Sequence, residues 1–94
     1  MPRITTHPGE ILSEEYLIPL RLSARKLAEE IDVAHNRISE IIKGHRGLTA
    51  DTAQRLAIRF DTTPQFWMNL QSNYELSLAA SENDYSSLRL REFA

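Results

Sequence analysis

The chain has 94 residues, 41% of them hydrophobic, which is enough for one small domain with a modest core. It contains no cysteine, so a disulfide framework and a thiolate metal site are excluded. No apolar run is long enough to span a membrane, and the N-terminus lacks the basic-then-apolar order of a signal peptide, so the expectation is a globular, cytoplasmic protein.

In chain order, residues 1–6 read as an arm. Pro8 suits the first turn of a helix, with His7 or Thr6 before it and Glu10 near the positive end of the helix dipole. Ile11, Leu12, Tyr16 and Leu17 form the apolar stripe of this first helix, which is predicted to run to about Ile18, where Pro19 stops it. Ser23 caps a second helix over roughly Ala24 to Ile31, with Leu27, Ala28 and Ile31 on its apolar face. A third helix, from about His35 to Ile42, carries Ile38, Ile41 and Ile42 at the same helical period and ends at Gly44. Thr49 caps a fourth, about Ala50 to Phe60, whose Ala53, Leu56, Ala57 and Phe60 make one buried stripe. Thr63-Pro64 opens a fifth, predicted to end at Leu78 or Ala80 and apolar on more than one face. Residues 81–84 read as irregular, and Tyr85 to Ala94 as a short helix or a loose tail.

The second and third helices are separated only by Asp32-Val33 and a capless Ala34, too short for anything but a sharp turn. Asp tolerates the left-handed backbone that such a turn needs, Val33 can plug the corner, and the small Ala28 lets the helices cross closely. That is a helix-turn-helix, in which the second helix stands out from the domain to enter a DNA groove. The net charge of −2 does not argue against this, because the charge is segregated. Residues 21–59 hold eight Lys or Arg against five Asp or Glu, whereas residues 1–20 sum to −2 and residues 60–94 to −3. Local charge, not the total, meets phosphates.

On that frame the first turn of the third helix offers His35, Asn36 and Arg37 to base edges, since Asn pairs bidentately with adenine and Arg with guanine. Ser23, Arg25, Ser39, Lys43 and Arg46 suit phosphates at the rims. Glu40 repels phosphate, so it should point to a cytosine or away. One such helix reads few base pairs, so a two-fold dimer is expected, and the surplus apolar surface of the fifth helix, Leu76 and Leu78 in particular, is the expected dimer contact. Trp67 and its aromatic neighbours read as core or dimer contacts. His7, His35 and His45 show no ligand spacing, no G-x-S-x-G elbow holds a serine, and no Gly-rich phosphate loop is present. No catalytic residue, metal or cofactor is therefore expected.

The fragments HPGEIL, EEYL, PL, LS, LA, ISEI with the following KG and R, LT, RLA and FWMNLQ with NYEL, in this order from His7 to Leu76, together resemble HigA-type (VapI-like) antitoxins of the XRE-like helix-turn-helix group. The resemblance implies an all-α, five-helix, lambda repressor-like DNA-binding domain, placed here over residues 1–80 with its helix-turn-helix at 23–44 and a tail at 81–94. It also implies a homodimer on double-stranded operator DNA, repression of its own operon, and neutralisation of a HigB-type toxin, typically a messenger-RNA endonuclease. Asp32 in the turn and Ala34 at the cap depart from the family pattern. An RNA-cleaving toxin presents a basic surface, so the acidic Glu10, Glu14 and Glu15 of the first helix are the expected toxin contact. The alternative is a stand-alone XRE-like repressor with no toxin; a third reading, an adaptor that has lost DNA binding, fits poorly with Asn36 and Arg37.

Overall fold

The computed structural model describes residues 3–88, and within them every regular element is helical. The first, α1, has an α-helical turn Pro8–Ile11, a π-helical stretch Leu12–Leu17 and a last α-helical turn Ile18–Leu20. Then come α2 (Ala24–Glu30), α3 (His35–Ile42), α4 (Ala50–Phe60) and α5 (Pro64–Glu82). The caps are those the sequence suggests. The hydroxyls of Ser23, Thr49 and Thr63 accept backbone N–H groups at the starts of α2, α4 and α5, and α3 begins at Ala34 with no side-chain cap.

Pro19 does not stop α1. The π-helical stretch ahead of it shifts the bonding, so that the Ile18 N–H pairs with the Ser13 carbonyl five residues back. The helix carries through Pro19 and ends at Arg21, which is left-handed. The same shift has a packing consequence. Residues five apart lie on different faces of an α-helix but on one face of a π-turn, and Leu12 and Leu17 are both buried.

Four helices end in the same way. Arg21, Asp32, Gly44 and Asp61 take positive φ after α1, α2, α3 and α4. The residue after each donates back five positions: Leu22 to Leu17, Val33 to Ala28, His45 to Glu40 and Thr62 to Ala57, at 2.9–3.0 Å. The sequence signals this conformation at Asp32 and Gly44, and Asp61 is a residue of the same tolerant kind. At Arg21 a side chain occupies a region that disfavours it.

The core gathers Leu12, Leu27, Ile38, Ile41, Leu56 and Trp67, all fully buried. The Trp67 ring packs against Tyr16 and Phe66 at 5.2 and 5.1 Å, and its Nε1 donates to the Thr62 hydroxyl at 2.7 Å, so it is a core residue with its polar atom satisfied. The helix α5 runs past Ala80 through Ser81 and Glu82, two residues that the sequence places in the tail. The Ser81 hydroxyl donates to the Leu78 carbonyl, and the backbone and side-chain amides of Asn83 both donate to Ala79, closing the helix end. In its second half no residue is buried, and Leu76 is 69% exposed. Residues 89–94 of the expected tail lie outside the described residues. Among the described residues no helix is long and apolar enough to cross a membrane.

Candidate nucleic-acid interface

The helix α3 is short, and its orientation is imposed by its neighbours. Ile38 and Ile41 are fully buried beneath it. At its far end Gly9 of α1 lies directly against the Ile41 carbonyl, so close that a Cβ on Gly9 would overlap that oxygen. His7 caps α1 at this junction. Its Nδ1 accepts the Gly9 N–H at 2.9 Å, its ring meets Tyr74 of α5 edge-on at 4.8 Å, and burial lowers its pKa from the ordinary value. The arm before it lies along α5, with the Thr5 N–H donating to the Ser77 hydroxyl at 2.9 Å.

His35 and Asn36 are exposed on the first turn of α3. Arg37, the third residue expected to meet base edges, is half-buried and its Nη1 donates to Asp51 Oδ2 of α4 at 2.7 Å. The same oxygen accepts Arg55 Nε at 3.0 Å, and Arg55 Nη1 donates to the Ile31 carbonyl at 2.8 Å. The two arginines hold the Asp51 carboxyl below the usual carboxylate range, Arg37 contributing most. Asp51 and Arg55 are the residues that sequence reasoning missed. Their spacing of four on one helix is visible in the sequence, but the partner fourteen residues earlier is not.

Of the expected phosphate contacts, Arg25, Lys43 and Arg46 are exposed. Ser23 is exposed too. Its hydroxyl oxygen is used as a cap, accepting the Lys26 N–H at 3.0 Å, which leaves the hydroxyl hydrogen to donate. Ser39 is half-buried and turns its hydroxyl back to the Asn36 carbonyl at 3.3 Å. Glu40 points at His45 Nδ1, 3.1 Å away, rather than outward along the helix start. A hollow of about 170 Å³ lies between Arg37, Arg46 and the start of α4, with Thr49 and Asp51 in its wall. The other expected contacts lie elsewhere. Glu10, Glu14 and Glu15 are exposed on α1, and on the second half of α5 Leu76 is exposed while Leu78 is half-buried. This arrangement presents an exposed polar helix start beside the hydroxyl-capped start of α4, on the basic third of the chain.

A helix-turn-helix family model, HTH_3, matches residues 14–67. The chain is 49% identical over 90 residues to virulence-associated protein I of Dichelobacter nodosus, covering 96% of this chain and 80% of that one. It is 40% identical over 68 residues to antitoxin HigA-1 of Vibrio cholerae, covering 72% and 64%. Among solved structures it is similar to a Pseudomonas aeruginosa antitoxin HigA determined with the higBA promoter, with a TM-score of 0.82 and 43% identity over 88% of this chain and 87% of that one.

Proposed function

The chain belongs to the helix-turn-helix family, alongside antitoxin HigA-1 and virulence-associated protein I, and from that premise we propose that it binds operator DNA as a two-fold dimer, represses its own operon and neutralises a HigB-type toxin. The observation that carries the DNA reading is the start of α3, where exposed His35 and Asn36 stand beside Arg37 on the protein's basic third. These three meet base edges in the major groove, while Ser23, Arg25, Lys43 and Arg46 hold the flanking phosphates; Ser39 leaves the expected set, because its hydroxyl hydrogen is given to the Asn36 carbonyl. The relative solved on its promoter supports this placement, because its fold superposes over most of the chain. The second half of α5, with exposed Leu76, joins the two protomers, and Glu10, Glu14 and Glu15 on α1 face the toxin. In this reading the protein acts by binding and carries no catalytic group.

Binding to the DNA upstream of its own gene tests the interface. Arg37→Ala should cost about 1–3 kcal/mol and relax the preference at one base pair, whereas Lys43→Ala should weaken all duplexes alike and lower the salt slope by about one. An Arg37→Ala protein that binds as wild type would remove Arg37 from the base-reading set. For the toxin, Glu10, Glu14 and Glu15 changed together to Lys should slow association with the neighbouring gene's product and flatten its salt dependence, with DNA binding retained. An unchanged rate would place the toxin elsewhere on the surface, and no association even in the wild type would leave the stand-alone repressor.

A further inference from the structure

We propose that Asp51 of α4 is a positioning residue that makes Arg37 a reader of base edges rather than a clamp for phosphate. This rests on the reading of Arg37 as a base contact. Arg37 is the one member of that trio whose side chain is held. One carboxylate oxygen, Asp51 Oδ2, takes Arg37 Nη1 at 2.7 Å and Arg55 Nε at 3.0 Å. Arg55 Nη1 in turn donates to the carbonyls of Ile31 and Asp32, at 2.8 and 3.4 Å, in the turn that leads into α3. The network therefore runs from the turn, through α4, to the first turn of α3. It ties the arginine's direction to the same elements that set the helix's direction.

Two physical consequences follow. A guanidinium has five donors in a rigid fork, so anchoring it through Nη1 leaves others to meet a guanine edge while its torsions are already restricted. An unanchored arginine would lose that freedom only on binding, and would lose it equally on any sequence. The carboxylate also screens the cation. Arg37 lines the hollow at the start of α4 with Asp51, so a phosphate oxygen reaching for Arg37 there would meet a negative charge bonded to both Arg37 and Arg55. A guanine edge, whose O6 and N7 acceptors carry only partial charge, meets much less of that repulsion. Asp51 thus disfavours the contact that every duplex offers and leaves the one that depends on sequence.

The experiment uses the full chain, a duplex of the DNA upstream of its own gene, and a scrambled duplex of equal length, each titrated across salt with Asp51→Asn, Arg37→Ala and the double variant. Asp51→Asn should lower the ratio of upstream to scrambled affinity by about tenfold, chiefly by tightening the scrambled complex, and steepen that complex's salt slope by about one. In the Arg37→Ala background the same change should alter the ratio less than about twofold, because nothing is left to position. Asp51→Glu, which keeps the charge, should recover most of the ratio. Thermal stability measured alongside separates bracing from positioning. If Asp51→Asn lowers the melting temperature and weakens both duplexes equally, or lowers the ratio just as much without Arg37, the proposal is overturned. If Arg37→Ala alone leaves the ratio unchanged, the base-contact reading fails, and the positioning role with it.

Discussion

The helices α3 and α5 hold themselves in opposite ways. The first has eight residues, no side-chain cap and two fully buried isoleucines, and is gripped by three other elements. Gly9 of α1 lies on its last turn, α2 joins it through the left-handed Asp32, and Asp51 of α4 holds its first turn through Arg37. The second has nineteen residues, of which only Trp67 and Gln71 are buried, both in its first half. An isolated helix shorter than about 12–15 residues is marginal in water, so α3 exists because its neighbours define it, whereas α5 can continue beyond its own support. The difference also suits the proposed roles. A helix that reads DNA must keep one orientation, and a helix that joins two protomers must leave its apolar side uncovered.

Gly9→Ala should break this comparison most severely. The added methyl would overlap a backbone carbonyl that closes α3, and neither chain can yield without moving a helix, so a loss of about 3 kcal/mol is expected in denaturant titration. A loss below ~0.5 kcal/mol would mean that α1 and α3 separate freely. Gln71 comes next. Its Oε1 accepts the Leu48 N–H at 2.8 Å in a buried position, which fastens the loop after α3 to the supported half of α5. Gln71→Ala leaves that donor unpaired and should cost roughly 1–3 kcal/mol.

A smaller effect lies at His7, where the proton decides the contact. Its Nδ1 must be unprotonated to accept from Gly9, and its folded pKa is lowered by burial, so the unfolded chain takes up the proton more readily. The stability it contributes is full above its unfolded pKa of about 6.5 and is lost as pH falls through the window between that value and the depressed folded one. Melting temperatures at pH 7.5 and 5.5 should therefore differ more for the wild type than for His7→Asn, whose side-chain oxygen caps without titrating. Equal differences would show that the cap survives protonation.

The smallest effect on folding is expected where α5 is bare. Leu76 and Leu78 changed together to Ser should alter the stability of the single chain by no more than about 0.5 kcal/mol. Sedimentation should nevertheless change from dimer to monomer at micromolar concentration. A wild-type monomer under those conditions would place the two-fold contact elsewhere, and a large loss of stability would show that the second half of α5 is supported after all.

Read alone, the residues determine much of this molecule, because the signals involved are local. Hydroxyls before apolar stripes start α2, α4 and α5, Gly44 ends α3, and the helical period of Ile38, Ile41 and Ile42 needs no partner to be seen. The sharp turn at Asp32 is legible for the same reason, since few side chains accept its backbone geometry. The tertiary structure alone decides what depends on residues distant in sequence. Pro19 looks like a stop until the π-helical bonding before it is known, and that bonding accompanies the joint burial of Leu12 and Leu17 in a core drawn from all five helices. Arg37 looks like a free cation on a helix face, and only the packing of α4 against the turn brings Asp51 to it. Gly9 looks like an ordinary second residue of a helix, and only the approach of α3 shows why a side chain would not fit. Helix starts and stops are written within a few residues of where they act, whereas a helix crossing or an ion pair is set by which surfaces meet when the core closes.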